Sequence, residues 1–113
     1  MNNSYSSISV IGAGAWGTAI ASTLSKNQKF INLWAKELEV TNSINTKNEN
    51  TLFLPGIKLS PKIKAHNDFK FLEISDLLFF VTPAQYFRQT LENISNAINK
   101  NVPIVLCSKG VEI

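Results

Sequence analysis

A cluster of three glycines directly after a short apolar segment is the feature that most constrains this chain. Gly12, Gly14 and Gly17 form the pattern G-x-G-x-x-G behind the β-branched sequence ISVI, and residues at helical spacing follow them. Glycine has no Cβ atom, so it permits the sharp turn and the close backbone approach that a strand and a helix need when they meet. The stretch therefore predicts a buried strand, a glycine loop and a helix that begins near Trp16.

Further strands and helices alternate along the chain. Apolar, β-branched runs predict strands over residues 8–11, 30–34, 63–65, 76–82 and 103–108. Helices are expected from the glycine loop to about residue 27, over 37–46, briefly over 68–75, and over 84–99. Tyr86 begins the apolar face of the last of these helices. Pro55, Gly56 and Pro61 predict an irregular segment between the second helix and the third strand. We predict one open, doubly wound α/β domain of the Rossmann type over residues 1–113, with a parallel sheet of strand order 3-2-1-4-5.

Charge and apolar content argue against nucleic-acid and membrane partners. The formal net charge is +3, but the lysines are scattered and Arg88 is the one arginine, so no basic stripe forms. The longest strongly apolar run, LLFFV, is far too short to span a bilayer, and the N-terminal residues lack a positively charged flank. We expect a cytoplasmic protein that neither enters a membrane nor binds nucleic acid.

The other residues with reactive side chains give little sign of a catalytic centre. Cys107 is the one cysteine, so a disulfide or a cysteine metal cluster cannot form, and its place in IVLCSKG predicts an inert, buried strand residue. His66 has no second ligand or nucleophile near it in the sequence, which favours a helix-capping or surface histidine. Ser108 and Cys107 have no base at usable spacing, so a hydrolase is not predicted. No metal site is expected either.

The glycines are positioned to bind a phosphate group. In a dinucleotide fold the first glycine allows the turn, the second leaves room for the pyrophosphate, and the third lets the helix pack closely on the sheet. Gly12, Gly14 and Gly17 occupy these positions, and the following helix would direct free N–H groups and its positive dipole end at the anion. A tight turn without a ligand is the alternative.

The end of the second strand bears on the choice between NAD and NADP. Glu37 lies 20 residues after Gly17, where an acidic side chain often binds the ribose of NAD, and Lys36 stands beside it. A cation there would attract the additional phosphate of NADP. We expect NADP to be accepted without exclusion of NAD; a solvated Lys–Glu pair at a helix start is the alternative.

Lys109 follows the fifth predicted strand. Ligands of open parallel sheets lie beyond the carboxyl ends of the strands, so Lys109 would face the same crevice as the glycine loop. A lysine at that place could hold a substrate phosphate or polarise a carbonyl group. A surface lysine before a turn glycine is the alternative.

Several segments together resemble a known family. VIGAGAWGTAIA, NLWAKE, NTLFLPGIKL, VTPAQYF and LCSKGVE, in this order, resemble the N-terminal cofactor domain of the bacterial-type NAD(P)-dependent glycerol-3-phosphate dehydrogenases, over residues 8–112. The resemblance implies reversible, NAD(P)H-dependent reduction of dihydroxyacetone phosphate to sn-glycerol 3-phosphate, a precursor of phospholipids. It implies cofactor contacts for Trp16, Lys36 and Tyr86, and assigns Lys109 to both cofactor and substrate.

The resemblance also indicates what the chain lacks. Ala15 stands where the family commonly has Ser or Thr, and Lys36 where it often has Arg or His. The general-acid lysine, most of the substrate site and the contacts of a homodimer are expected in a C-terminal helical domain that the 113 residues do not include. We expect a fragment that binds cofactor and is inactive alone. A non-catalytic dinucleotide-binding module and the first domain of another two-domain NADP-dependent reductase are the alternatives.

Overall fold

The protein folds around one parallel β-sheet, here described from a computed structural model for residues 5–82, 84–98 and 101–107. Its strands are β1 (Ile8–Ile11), β2 (Ile31–Trp34), β3 (Ile63–His66), β4 (Leu77–Phe80) and β5 (Ile104–Leu106). The helices are α1 (Ala15–Leu24), α2 (Leu38–Lys47) and α3 (Phe87–Ile94), with single 3-10 turns at Lys70–Ile74 and Ala84–Tyr86. The strand order is β3-β2-β1-β4-β5, so the predicted topology is confirmed.

Strand β1 lies at the centre of the sheet. It pairs in parallel with β2 on one side and β4 on the other, and all four of its residues are buried. Val10 belongs to an apolar cluster on one face of the sheet and Ile11 to a cluster on the opposite face. A strand covered on both faces favours a continuous apolar, β-branched sequence, which is why ISVI was recognisable as a strand.

The last helix is shorter than its apolar spacing suggests. The stretch begins with a 3-10 turn, and α3 ends at Ile94. Beyond it, the N–H groups of Ala97 and Ile98 both bind the Ile94 carbonyl, at 2.9 and 3.2 Å, so the backbone tightens instead of continuing as a regular helix. Tyr86, predicted on the apolar face, is 48% exposed.

Strand β5 also departs from prediction. It forms the edge of the sheet beside β4, and its three residues are exposed, whereas a buried strand was expected. Cys107, which follows it, is only partly buried. Within the described ranges, no helix is long and apolar enough to cross a membrane.

Candidate functional site

The carboxyl ends of four strands meet along one edge of the sheet. Ile11 is in register with Trp34 and Phe80, and Phe80 is in register with Leu106. The ladder continues one residue further: Gly12 N–H binds the Trp34 carbonyl at 3.0 Å, and Val81 N–H binds the Ile11 carbonyl at 2.8 Å. The segments after β1, β2, β4 and β5 therefore leave the sheet side by side, as expected for a ligand crevice.

Gly12 and Gly17 are glycines because the backbone has no room for a side chain. Gly12 has φ +120°, and a Cβ atom there would lie 2.8 Å from the Val81 carbonyl oxygen. A Cβ atom on Gly17 would lie 1.8 Å from the Gly12 carbonyl oxygen, a severe overlap. These two glycines bring β1, α1 and the segment after β4 into direct backbone contact.

Gly14 differs from both. A Cβ atom built on it meets nothing within 4 Å, so the space beside it is open. It precedes the first residue of α1, and its carbonyl accepts the Thr18 N–H at 3.0 Å, while its own N–H has no hydrogen-bond partner among the described residues. An open space next to an unpaired N–H at a helix N-terminus suits an anionic group such as a pyrophosphate.

The end of β2 supplies the charged residues. Ala35 is fully buried and binds the His66 carbonyl through its N–H at 2.8 Å, which fixes the backbone just before Lys36. The Lys36 side chain is exposed. Glu37 is half-buried, precedes α2, and accepts the N–H groups of Val40 and Thr41 with its backbone carbonyl. Because β2 adjoins β1, Lys36 emerges on the same edge as the glycine loop.

Aromatic residues lie on two of the neighbouring segments. Trp16, the second residue of α1, is 51% exposed, and Tyr86 follows β4 with a similar exposure. Both positions allow contact with a ligand at the edge of the sheet. Lys109 and Ser108 lie outside the described residues, so the structure gives no position for either side chain.

His66 and Cys107 are not where the sequence suggested. His66 caps no helix: it ends β3, its Nε2 atom lies 2.8 Å from the Asn32 Oδ1 atom, and its ring stacks on Phe71. Burial lowers the pKa of His66, with Asp68 acting in the opposite direction. Partial burial raises the pKa of the Cys107 thiol, which disfavours the reactive thiolate. The part of the chain that the structure describes contains no group of three metal-ligating side chains.

Sequence reasoning missed Asn50. It lies in the irregular segment after α2, yet it is fully buried and its amide group contacts the glycine loop. Asparagine is common in loops, and this chain is rich in it, so no local pattern separates Asn50 from its exposed neighbours. Its role becomes visible only through tertiary contacts.

Comparisons with known proteins agree with this geometry. The family model described as NAD-dependent glycerol-3-phosphate dehydrogenase N-terminus matches residues 7–113. A glycerol-3-phosphate dehydrogenase [NAD(P)+] of Hyphomonas neptunium is 46% identical over 113 residues, which is 100% of this chain and 34% of that protein.

Solved structures of enzymes with related names have the same fold. A glycerol-3-phosphate dehydrogenase from Saccharomyces cerevisiae gives a TM-score of 0.85 at 28% identity, over 95% of this chain and 34% of that one. The enzyme from Coxiella burnetii gives 0.84 at 27% identity, over 93% and 33%. The chain thus spans about a third of the length of the proteins it matches.

Proposed function

Because this chain belongs to the NAD-dependent glycerol-3-phosphate dehydrogenase family, matching its N-terminal part, we propose that it binds NADP or NAD for a dehydrogenase reaction. The reaction is the reversible reduction of dihydroxyacetone phosphate to sn-glycerol 3-phosphate, which supplies phospholipid synthesis. The observation that carries the proposal is the glycine loop, where two crowded glycines flank an open one at the start of α1. When bound, the nicotinamide nucleotide supplies or accepts the hydride.

The glycine loop holds the pyrophosphate in this proposal. Gly12 and Gly17 keep the loop close to the sheet, and Gly14 leaves the space into which the anion fits. Trp16, exposed in the first turn of α1, contacts the nucleotide. Tyr86 lies against the cofactor from the segment after β4.

Lys36 binds the adenosine end of the cofactor in this proposal. Its ammonium group is exposed and makes no hydrogen bond or ion pair within the described residues, so it is available to the additional phosphate of NADP. An ammonium group attracts phosphate as a point charge and lacks the planar fork of arginine, so its discrimination between NADP and NAD is moderate. We therefore propose that NADP is preferred and NAD is accepted.

The chain by itself is the nucleotide-binding part. Lys109 contacts both cofactor and substrate in this proposal. The carbonyl that receives the hydride also needs a proton donor, and the family places that lysine and most of the substrate site in a helical domain beyond these residues. Residues 1–113 are accordingly a cofactor-binding domain that does not turn over alone, in a cytoplasmic enzyme that dimerises through the helical domain.

The substrate is tested with the full-length protein. We expect NADPH oxidation with dihydroxyacetone phosphate and none with ketopantoate or short 2-keto acids; turnover of one of those acids instead would contradict the assignment. The polypeptide of residues 1–113 serves as a second sample, and measurable turnover by it would refute its proposed insufficiency.

Lys36 is tested by the ratio of the two cofactors. We expect Lys36→Ala to raise the Kd for NADPH about tenfold and to leave the Kd for NADH nearly unchanged, since the amino group binds only the additional phosphate. Lys26→Ala, an exposed lysine just beyond the other end of α1, is the matched control. Equal changes for both nucleotides would show that Lys36 does not contact that phosphate.

A further inference from the structure

A buried amide group lies beneath the glycine loop. The Asn50 Nδ2 atom donates to the Ala13 carbonyl and to the Thr18 hydroxyl, each at 2.9 Å, and its Oδ1 atom accepts the Phe53 N–H at 3.0 Å. Thr18 in turn donates its hydroxyl to the same Ala13 carbonyl at 3.3 Å. Asn50 and Thr18 are both fully buried, so the Ala13 carbonyl is held from the protein interior by two side chains.

The backbone on either side of Asn50 is itself anchored. The Ser43 hydroxyl, on α2, contacts the Glu49 carbonyl and accepts the Thr51 N–H at 3.1 Å. Asn48 ends α2 in the left-handed conformation, with φ 56°, and turns the chain back toward the sheet. Contacts with α2 therefore hold the backbone on both sides of Asn50.

The fixed carbonyl determines the direction of the neighbouring N–H group. In a trans peptide the C=O and N–H bonds point to opposite sides, so the Gly14 N–H points away from Asn50. The Gly14 N–H has no hydrogen-bond partner among the described residues, and a Cβ atom on Gly14 would meet nothing within 4 Å, so the N–H is available to an anion in the open space beside this residue. Rotation of this peptide would turn the carbonyl oxygen, which repels an anion, toward the same space.

We propose that Asn50, together with Thr18, is a positioning residue for nucleotide binding: it holds the Ala13–Gly14 peptide so that its N–H faces the pyrophosphate. Asn50 acts through the backbone and does not touch the nucleotide. The proposal rests on the proposed function and assigns part of the affinity to a residue 37 positions after Ala13 in the chain.

The test compares two asparagine variants of the full-length protein. Asn50→Leu keeps the approximate size of the side chain and removes its donors. We expect the Kd for NADPH to rise about tenfold, since one hydrogen bond to the anion is lost. Asn45→Leu is the matched control, because Asn45 also bonds a backbone carbonyl and N–H, those of Ala65, but lies away from the loop. We expect its Kd to stay within about twofold of wild type.

A second readout separates positioning from general stability. We expect Asn50→Leu to raise the KM for NADPH while the KM for dihydroxyacetone phosphate stays unchanged. In an NMR titration, NADPH should change the chemical shift of the Gly14 amide proton in wild type and not in Asn50→Leu. Thr18→Val gives a smaller rise in Kd, and Thr18→Ser restores wild-type affinity. If Asn50→Leu fails to fold, the Thr18 pair decides the question.

Two different failures are distinguishable. If wild-type protein does not bind NADPH or NADH, the proposed function fails, and with it the inference that rests on it. If wild type binds and Asn50→Leu or Thr18→Val binds equally well, the positioning role is refuted and the proposed function stands.

Discussion

Strands β1 and β5 have similar sequences and very different surroundings. Both consist largely of Ile, Val or Leu, and both pair in parallel within one sheet. No residue of β1 is more than 3% exposed, whereas the residues of β5 are 37–60% exposed. A strand is thus specified by its local sequence, but its burial depends on what lies beside and above it.

The comparison extends to the site. The loop after β1 is held by ladders to β2 and β4, by two crowded glycines and by the buried Asn50 amide. The segment after β5 continues from a strand that has one neighbour, and the Cys107 N–H bonds the Phe80 carbonyl at 2.9 Å. Among the described residues, the loop after β1 is therefore fixed by more contacts than Cys107, the one described residue after β5.

The largest predicted effect distinguishes two glycines of the central loop. Gly17→Ala should lower the free energy of unfolding by about 3 kcal/mol or more, because its Cβ atom would overlap the Gly12 carbonyl oxygen at 1.8 Å. Gly14→Ala should cost about 1 kcal/mol or less, because its Cβ atom meets nothing. Chemical denaturation measures both, and equal losses would show that the loop is not packed as described.

A matched pair of valines tests the contrast between the two strands. In the 113-residue polypeptide, Val10→Ala on β1 should lower the free energy of unfolding by about 2 kcal/mol, since the side chain is fully buried. Val105→Ala on β5, where the residue is 39% exposed, should cost less than about 1 kcal/mol. A loss for Val105→Ala as large as that for Val10→Ala would mean that β5 is buried in solution.

A smaller effect is expected at the entrance to β1. Partial burial raises the pKa of Asp76, but hydrogen bonds from the Ser6 and Ser7 N–H groups and the Ser6 hydroxyl outweigh it, and the pKa lies below its usual value. The ionised carboxylate therefore stabilises the fold above about pH 4, and this contribution is lost as the pH falls through the lowered pKa. Asp76→Asn should reduce Tm by a few degrees at pH 7, and this difference should shrink as the pH falls below about 4; a pH-independent difference would refute this role.

The smallest predicted effect concerns β3, which lies at the side of the sheet opposite β5. Because burial lowers the pKa of His66, the folded protein binds its proton less readily than the unfolded chain does. Stability from this group is present above about pH 6.5 and declines as the pH falls below that value. His66→Gln, which can still bond Asn32, should flatten the dependence of Tm on pH between about 7.5 and 5. An unchanged slope would show that His66 does not contribute.

The sequence predicted the sheet well because its strands are short, apolar and separated by clear breaks. The strand order followed from the alternation of apolar strands with helices, and the position of the glycine loop from the ISVI segment and the spacing of Gly12, Gly14 and Gly17. Burial of β5 was mispredicted, since the pattern IVL is the same in a covered and an uncovered strand. Asn50 and His66 were missed or misplaced because the Ala13 carbonyl, which Asn50 binds, and the Asn32 side chain, which His66 contacts, lie 37 and 34 residues away in the chain.

The central claim is that the glycine loop binds a dinucleotide, and a titration of the full-length protein tests it most directly. NADPH and NADH are added separately to wild type and to Gly14→Val, and the quenching of tryptophan fluorescence is followed, since exposed Trp16 lies next to the loop. We predict saturable quenching in wild type, tighter for NADPH, and at least about tenfold weaker binding by a folded Gly14→Val variant, whose side chain fills the open space. Equal affinity of the two proteins for NADPH would contradict the account.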